Sequence, residues 1–169
     1  MSIHPRPRGL RSVLFSFLIG LCLLWVGVAR AEFSAKDWEG KWVLIPQQSS
    51  ALDVFDTVSL EFTAVSADRM VINEKWGSRR SHEEVLDLKM GGVVNEVPIE
   101  HKVFTSNVFM GVRREVGATR DIVAKWGEEM DVLELEETLP IISSQGRGEL
   151  EYYTTIALNA DATVMTWTV

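Results

Sequence analysis

Over residues 57–65 every second position is apolar: Val58, Leu60, Phe62 and Ala64 alternate with Ser59, Glu61 and Thr63. A period of two sets one face of an extended strand against a core and the other in water. A helix would need apolar residues every third or fourth position. The same reading predicts an opening strand over 41–45. It predicts another over 69–76, with Met70, Ile72 and Trp76 on one face, and one over 84–90 through Leu86, Leu88 and Met90. The last of these ends at Gly91-Gly92, a turn pair. Strands over 108–116 and 120–126 flank Gly117, and the second runs into a turn at Gly127-Glu128-Glu129. A returning strand over 132–138 turns Leu133 and Leu135 inward. A loop is expected from Pro140 to Gly148, with Ile141 and Ile142 placed either as a lid or as an apolar contact for a partner. The pattern closes with strands over 150–158 and 164–169, joined by a turn at 159–162. A single helical turn is expected over 34–39.

Many short strands with turns at regular intervals predict an all-β antiparallel domain, a sandwich or a barrel. The short connections favour an up-and-down order of about 8–10 strands, in which neighbours in sequence are neighbours in space.

The N-terminus is built differently. Arg6, Arg8 and Arg11 precede an apolar run over 13–28, which ends at Ala29-Arg30-Ala31. A basic start, an apolar middle and a small-x-small site make a secretory signal, with residues 1–31 removed and 32–169 left as the domain. The signal region is read as a helix. The run is short for a full span, so a retained membrane anchor is the lesser alternative. Cys22 follows Leu21 inside the apolar run and reads as one more apolar residue rather than a lipid-attachment site. Removal of the signal takes away four arginines and no acid, moving the net charge from −7 to −11. Such a surface repels nucleic acid and anionic membranes. The remaining chain has no cysteine, so it must stand on its core without disulfides. The expected location is the bacterial periplasm, with release from the cell as the alternative.

Two stretches carry a resemblance. Gly40-Lys41-Trp42 stands at the head of the first strand, after Trp38-Glu39. Ala124-Lys125-Trp126-Gly127 leads through Leu133-Glu134-Leu135 to Tyr153 and the turn Leu158-Asn159-Ala160-Asp161-Ala162. Together they resemble the opening and closing of lipocalin-like, calycin-type β-barrels of small exported bacterial proteins. Asn159 and Ala162 stand where the pattern usually has serine and glycine, and no arginine lies on the last strands to pack over Trp42. The resemblance implies an up-and-down barrel that encloses a small apolar or amphipathic ligand.

Candidate chemistry is sparse. Trp42, Leu44, Val58, Leu60, Phe62, Ile72, Leu86, Leu133, Leu135, Leu150, Tyr152 and Ile156 share the inward phase. A small barrel is either filled by such side chains or holds one small ligand. Glu74, Arg114 and Arg120 share that phase too. A buried charge is costly unless paired, so these residues pair internally, line a polar pocket or, as the plainer expectation, sit at the wet rim. Trp42, Glu74, Trp76, Arg114, Trp126 and Tyr152 are the candidate ligand-binding residues, with the tryptophans otherwise read as core and closure. His82 lies in a polar stretch over 79–84 read as a hairpin loop, and neither it nor His101 has zinc-ligand spacing. No metal and no cofactor are predicted. Nucleophile-elbow, phosphate-loop and dinucleotide motifs are missing, and Glu128-Glu129 and Glu136-Glu137 read as exposed turns and wet strand faces. The expectation is therefore a noncatalytic binding domain. The alternative is an envelope structural or interaction module with a packed core and a protein partner that the sequence does not identify.

Overall fold

The structure is a computed structural model that describes residues 34–49, 55–103 and 111–169. The signal segment 1–31 and the first part of the strand expected over 108–116 lie outside the described residues. After a one-turn helix, α1 (Ala35–Trp38), the chain forms ten described strands: β1 (Gly40–Val43), β2 (Thr57–Thr63), β3 (Arg69–Gly77), β4 (Ser81–Lys89), β5 (Val94–Pro98), β6 (Arg113–Arg114), β7 (Thr119–Trp126), β8 (Val132–Ser143), β9 (Gly146–Leu158) and β10 (Met165–Thr168).

Every ladder is antiparallel. The first four strands make one meander, β1-β2-β3-β4. The second sheet has the order β10-β9-β8-β7-β5, and β6 pairs with the far end of β8. Among the described residues no ladder joins β4 to β5 or β1 to β10, the two places where a barrel would close. The domain is all-β and antiparallel, arranged as two sheets over one core. That core takes Leu60, Phe62, Ile72, Leu86 and Leu88 from the first sheet and Ile122, Ala124, Leu133, Ile156 and Leu158 from the second.

Local chemistry sets the joints. Gly77 opens the β3–β4 turn, where an added Cβ would stand 2.6 Å from the Arg80 carbonyl oxygen. Gly91 and Gly92 take φ of +87° and +82°, where side-chain-bearing residues are strained, and there the chain passes from the first sheet to the second.

Trp38 plugs one end of the core. It is fully buried, and its ring meets Phe62 and Trp126 edge-on, with centroids 5.6 and 5.0 Å away. Its Nε1–H donates to the Met130 carbonyl at 2.6 Å, and Trp42 Nε1–H donates back to the Trp38 carbonyl at 3.1 Å. Trp126 donates to the Ser66 carbonyl across the sheets at 3.1 Å.

Three sequence expectations change. The stretch 140–148 is strand, not loop: β8 and β9 form a long hairpin that turns at Ser144 and Gln145. Pro140 is tolerated because it falls between two ladders on one side of β8. The β7 ladder ends at Thr138 and the β6 ladder begins at Ile141. Ile141 is then buried in a small second core with Ile99 and Leu139 rather than serving as a lid. Strand β5 has no counterpart in the apolar pattern, because its inward positions open with Asn95 before Val97. His82 lies on β4, not in a loop, and stacks on Trp76 with ring centroids 5.7 Å apart.

Asn95 explains its own burial. Its Oδ1 accepts from the Lys89 N–H at 2.7 Å, and its Nδ2 donates to the carbonyls of Lys89 and Ile122 at 3.0 and 3.1 Å. It thereby stands in for the missing β4–β5 ladder. Replacing Asn95 with Ala strands those backbone groups and should cost about 2–3 kcal/mol in urea unfolding. A loss under about 0.5 kcal/mol, the scatter of ordinary surface changes, would remove the clamp role.

Candidate functional site

Inward-facing polar residues converge at mid-sheet. Glu84 on β4 shares a face with Leu86 and Leu88 and is 8% exposed. Arg114 on β6 and Arg120 on β7 reach it from the opposite sheet and are 3% and 5% exposed. Arg114 grips Glu84 with both terminal nitrogens: Nη1 lies 3.1 Å from Oε2, and Nη2 lies 3.2 Å from each oxygen. Arg120 Nη2 stands 2.9 Å from Glu84 Oε1, close enough for ion pairing but outside the hydrogen-bond direction. Its Nη1 donates to Glu137 Oε1 at 2.8 Å. Glu137 faces inward from β8, opposite Ile122 on β7 and Tyr152 on β9.

Glu74 completes the group. On β3 it lies opposite Leu60 on one side and Glu84 on the other. Like charges across a strand pair repel. No described residue forms a hydrogen bond or ion pair with its carboxyl. Burial is the main force on it and raises its pKa from 4.5 to about 7. Arg120 opposes that rise, while Glu84 and Glu137 add to it. Burial works to lower the Arg120 pKa, yet Glu137 and Glu84 outweigh it and the net direction is up. Burial also raises the Tyr152 pKa, helped by Glu137 and opposed by Arg114.

These groups line a half-open cavity of about 50 Å³ between the sheets. Glu74, Arg114, Arg120 and Glu137 are its charged lining, mixed with apolar Leu86, Ile122, Leu135, Leu139 and Ile156. Tyr152, Thr154 and Trp167 complete the lining. At about 10–15 Å³ for each water-sized probe, such a space takes only a few small groups.

Of the six residues singled out from the sequence, Glu74, Arg114 and Tyr152 meet at this cavity. Trp42 and Trp126 stand with Trp38 at the plugged end of the core, and Trp76 is buried beside His82 and His101. Arg114 and Arg120 pair internally instead of sitting at the rim. Sequence reading did not single out Glu84, read at the junction of a polar loop and the strand over 84–90, or Glu137, placed on a wet face. The signal for both was strand phase: Glu84 alternates in step with Leu86, and Glu137 with Leu135 and Leu139.

Among the described residues no three acidic or histidine side chains are grouped so as to hold a metal ion. No helix among them is long and apolar enough to cross a membrane. Comparison with protein-family models, curated proteins and solved structures finds no match, so the functional reading rests on this geometry.

Two outcomes follow from the charge cluster. Glu84→Ala leaves two buried guanidiniums without their shared anion, and unfolding experiments should register a loss of about 3–5 kcal/mol. A loss below about 1 kcal/mol, no more than a typical single substitution, would mean that water already solvates the pair. Glu74→Gln acts in the other direction. The wild-type acid is protonated in the fold up to about pH 7 but ionises near 4.5 when unfolded. Its contribution is therefore fully present below pH 4.5 and is lost as pH rises through 7. A neutral glutamine escapes that loss. The variant should match wild type near pH 4 and exceed it by about 3 kcal/mol at pH 8. Equal stability at both pH values would place Glu74 in ordinary water.

Proposed function

We propose that this protein is an exported, noncatalytic β module that holds the polar head of a small amphipathic molecule in the cavity between its sheets. One observation carries the reading: charged, hydroxyl and apolar side chains line one half-open cavity, and no described residue pairs with the Glu74 carboxyl within it. Pockets of this make-up orient ligands through a few polar groups set in apolar surroundings. The volume limits the guest. Whole small-molecule sites occupy about 300–1,000 Å³. A cavity of about 50 Å³ suits a head group, with the rest of the molecule outside. A wholly apolar ligand has little to recommend it here, because four of the lining residues are ionisable acids and guanidiniums.

Lipocalin-like kinship belongs to the same proposal. Consecutive pairing of β1 to β4 and of β7 to β10, over a common core, fits a flattened relative of an up-and-down barrel, from which β5 and β6 depart. Export rests on the basic, apolar and small-residue pattern of 1–31, with the periplasm as its destination.

A second reading draws on the same small volume: an envelope interaction module whose core is packed and which works through its outer faces. Exposed Val85 on the first sheet and Val94 and Tyr153 on the second are candidate contacts.

Native mass spectrometry of protein purified gently from its own host separates the two. The ligand reading expects a discrete extra mass on residues 32–169 that leaves on denaturation. Bare protein at the calculated mass would overturn it in favour of the surface module. A mass that includes residues 1–31 would overturn the cleavage.

A further inference from the structure

With Glu74 ionised, charge around the cavity does not balance. Glu84 lies between the guanidiniums of Arg114 and Arg120, and Glu137 pairs with the other arm of Arg120. Two cations and two anions make that part neutral. Glu74 faces the same space as a third carboxyl, and no described residue pairs with it. Both guanidiniums already pair with other acids; Arg120 still lowers the Glu74 pKa from a distance, but forms no ion pair with it. A carboxylate held in a partly desolvated space is stabilised by one opposite charge at close range.

The remaining lining tells which kind of cation fits. A primary ammonium donates three hydrogen bonds and accepts none. The Glu74 and Glu137 carboxylates and the Thr154 hydroxyl offer acceptors around the space. Trp167 also lines the space, and an indole ring attracts a cation placed over its face. Leu135, Leu139 and Ile156 supply apolar lining for a short alkyl chain. Calcium and magnesium are disfavoured, since each takes about six or more oxygen ligands and would stand beside two arginines.

We infer that the cavity is a site for a small monocation, a primary alkylammonium head group seated between Glu74 and the Thr154 and Trp167 side of the lining. The inference rests on the ligand-binding reading above and names the charge class of its guest. A proton and the ammonium compete for the same carboxylate. Binding is therefore tighter where Glu74 is ionised.

The test titrates the signal-free domain with n-butylammonium chloride at pH 8 and pH 5.5, following the indole N–H resonance of Trp167 by NMR. Sodium chloride, n-butanol and sodium butyrate at matched concentrations are the controls. The expected result is a saturable shift with n-butylammonium alone. For a carboxyl that titrates near pH 7, binding at pH 5.5 should be roughly 30-fold weaker than at pH 8. Glu74→Gln, a neutral stand-in for the protonated acid, should lose the shift while staying folded. Two outcomes would overturn the cation assignment yet leave ligand binding standing: saturation by butyrate or butanol but not by butylammonium, or full binding of butylammonium by Glu74→Gln. No saturable shift with any probe would also overturn it. If protein from the host is then bare by mass spectrometry, the ligand reading falls with it.

Discussion

A carboxylate on one sheet held by two guanidiniums from the other is the contact on which the interior of this domain depends. Among the described residues the two sheets share no ladder, and apolar packing alone is indifferent to small slips between them. The pairing of Glu84 with Arg114 and Arg120 is not indifferent. Its geometry is two-pronged on one side, and the charges are too deeply buried to be solvated elsewhere. Such a pair adds little net stability over a well-packed apolar core, but breaking it is costly. We read it as a device for register: it fixes which part of β4 faces β6 and β7. That fixes where the cavity lies.

Two other contacts finish the join. At the plugged end, Trp38 draws together Phe62 of the first sheet, Trp126 of the second and the carbonyl of Met130. Where the chain crosses between sheets, Asn95 replaces a strand ladder with side-chain hydrogen bonds to Lys89 and Ile122. Tryptophan plug, asparagine clamp and ion cluster are thus three separate contacts between the two sheets. The cavity adjoins the cluster and shares Arg114, Arg120 and Glu137 with it. Glu74 faces the same space, and its burial makes it sensitive to pH.

Much of this was legible beforehand. Strand phase placed Leu60, Phe62, Ile72, Leu86, Leu133 and Ile156 inward, and all are buried. It also put Glu74, Arg114 and Arg120 in the same phase as the core, and the paired glycines at 91 and 92 marked a turn, which the structure shows to be the crossing between sheets. The reading failed where a polar residue occupied an inward position. Asn95 hid β5, Glu84 was read at the junction of a polar loop and a strand, and Glu137 was taken for a wet neighbour of Glu136. Pro140 was read as the start of a loop, since a proline cannot donate to a ladder. Only the arrangement of strands around β8 made that missing donor harmless.

The sequence by itself therefore determined most of the strands, the inward faces of their apolar residues and the antiparallel all-β class, because these follow from local period and turn chemistry. The tertiary structure decided which inward polar residues meet. Glu84 and Arg114 are thirty positions apart, and nothing in a period of two says what lies across the core. Ion pairing depends on distances between sheets, which are set by packing of the whole chain. The lone Glu74 carboxyl is the clearest case. Its position was readable from alternation, but that no described residue pairs with it follows only from where the other interior charges lie.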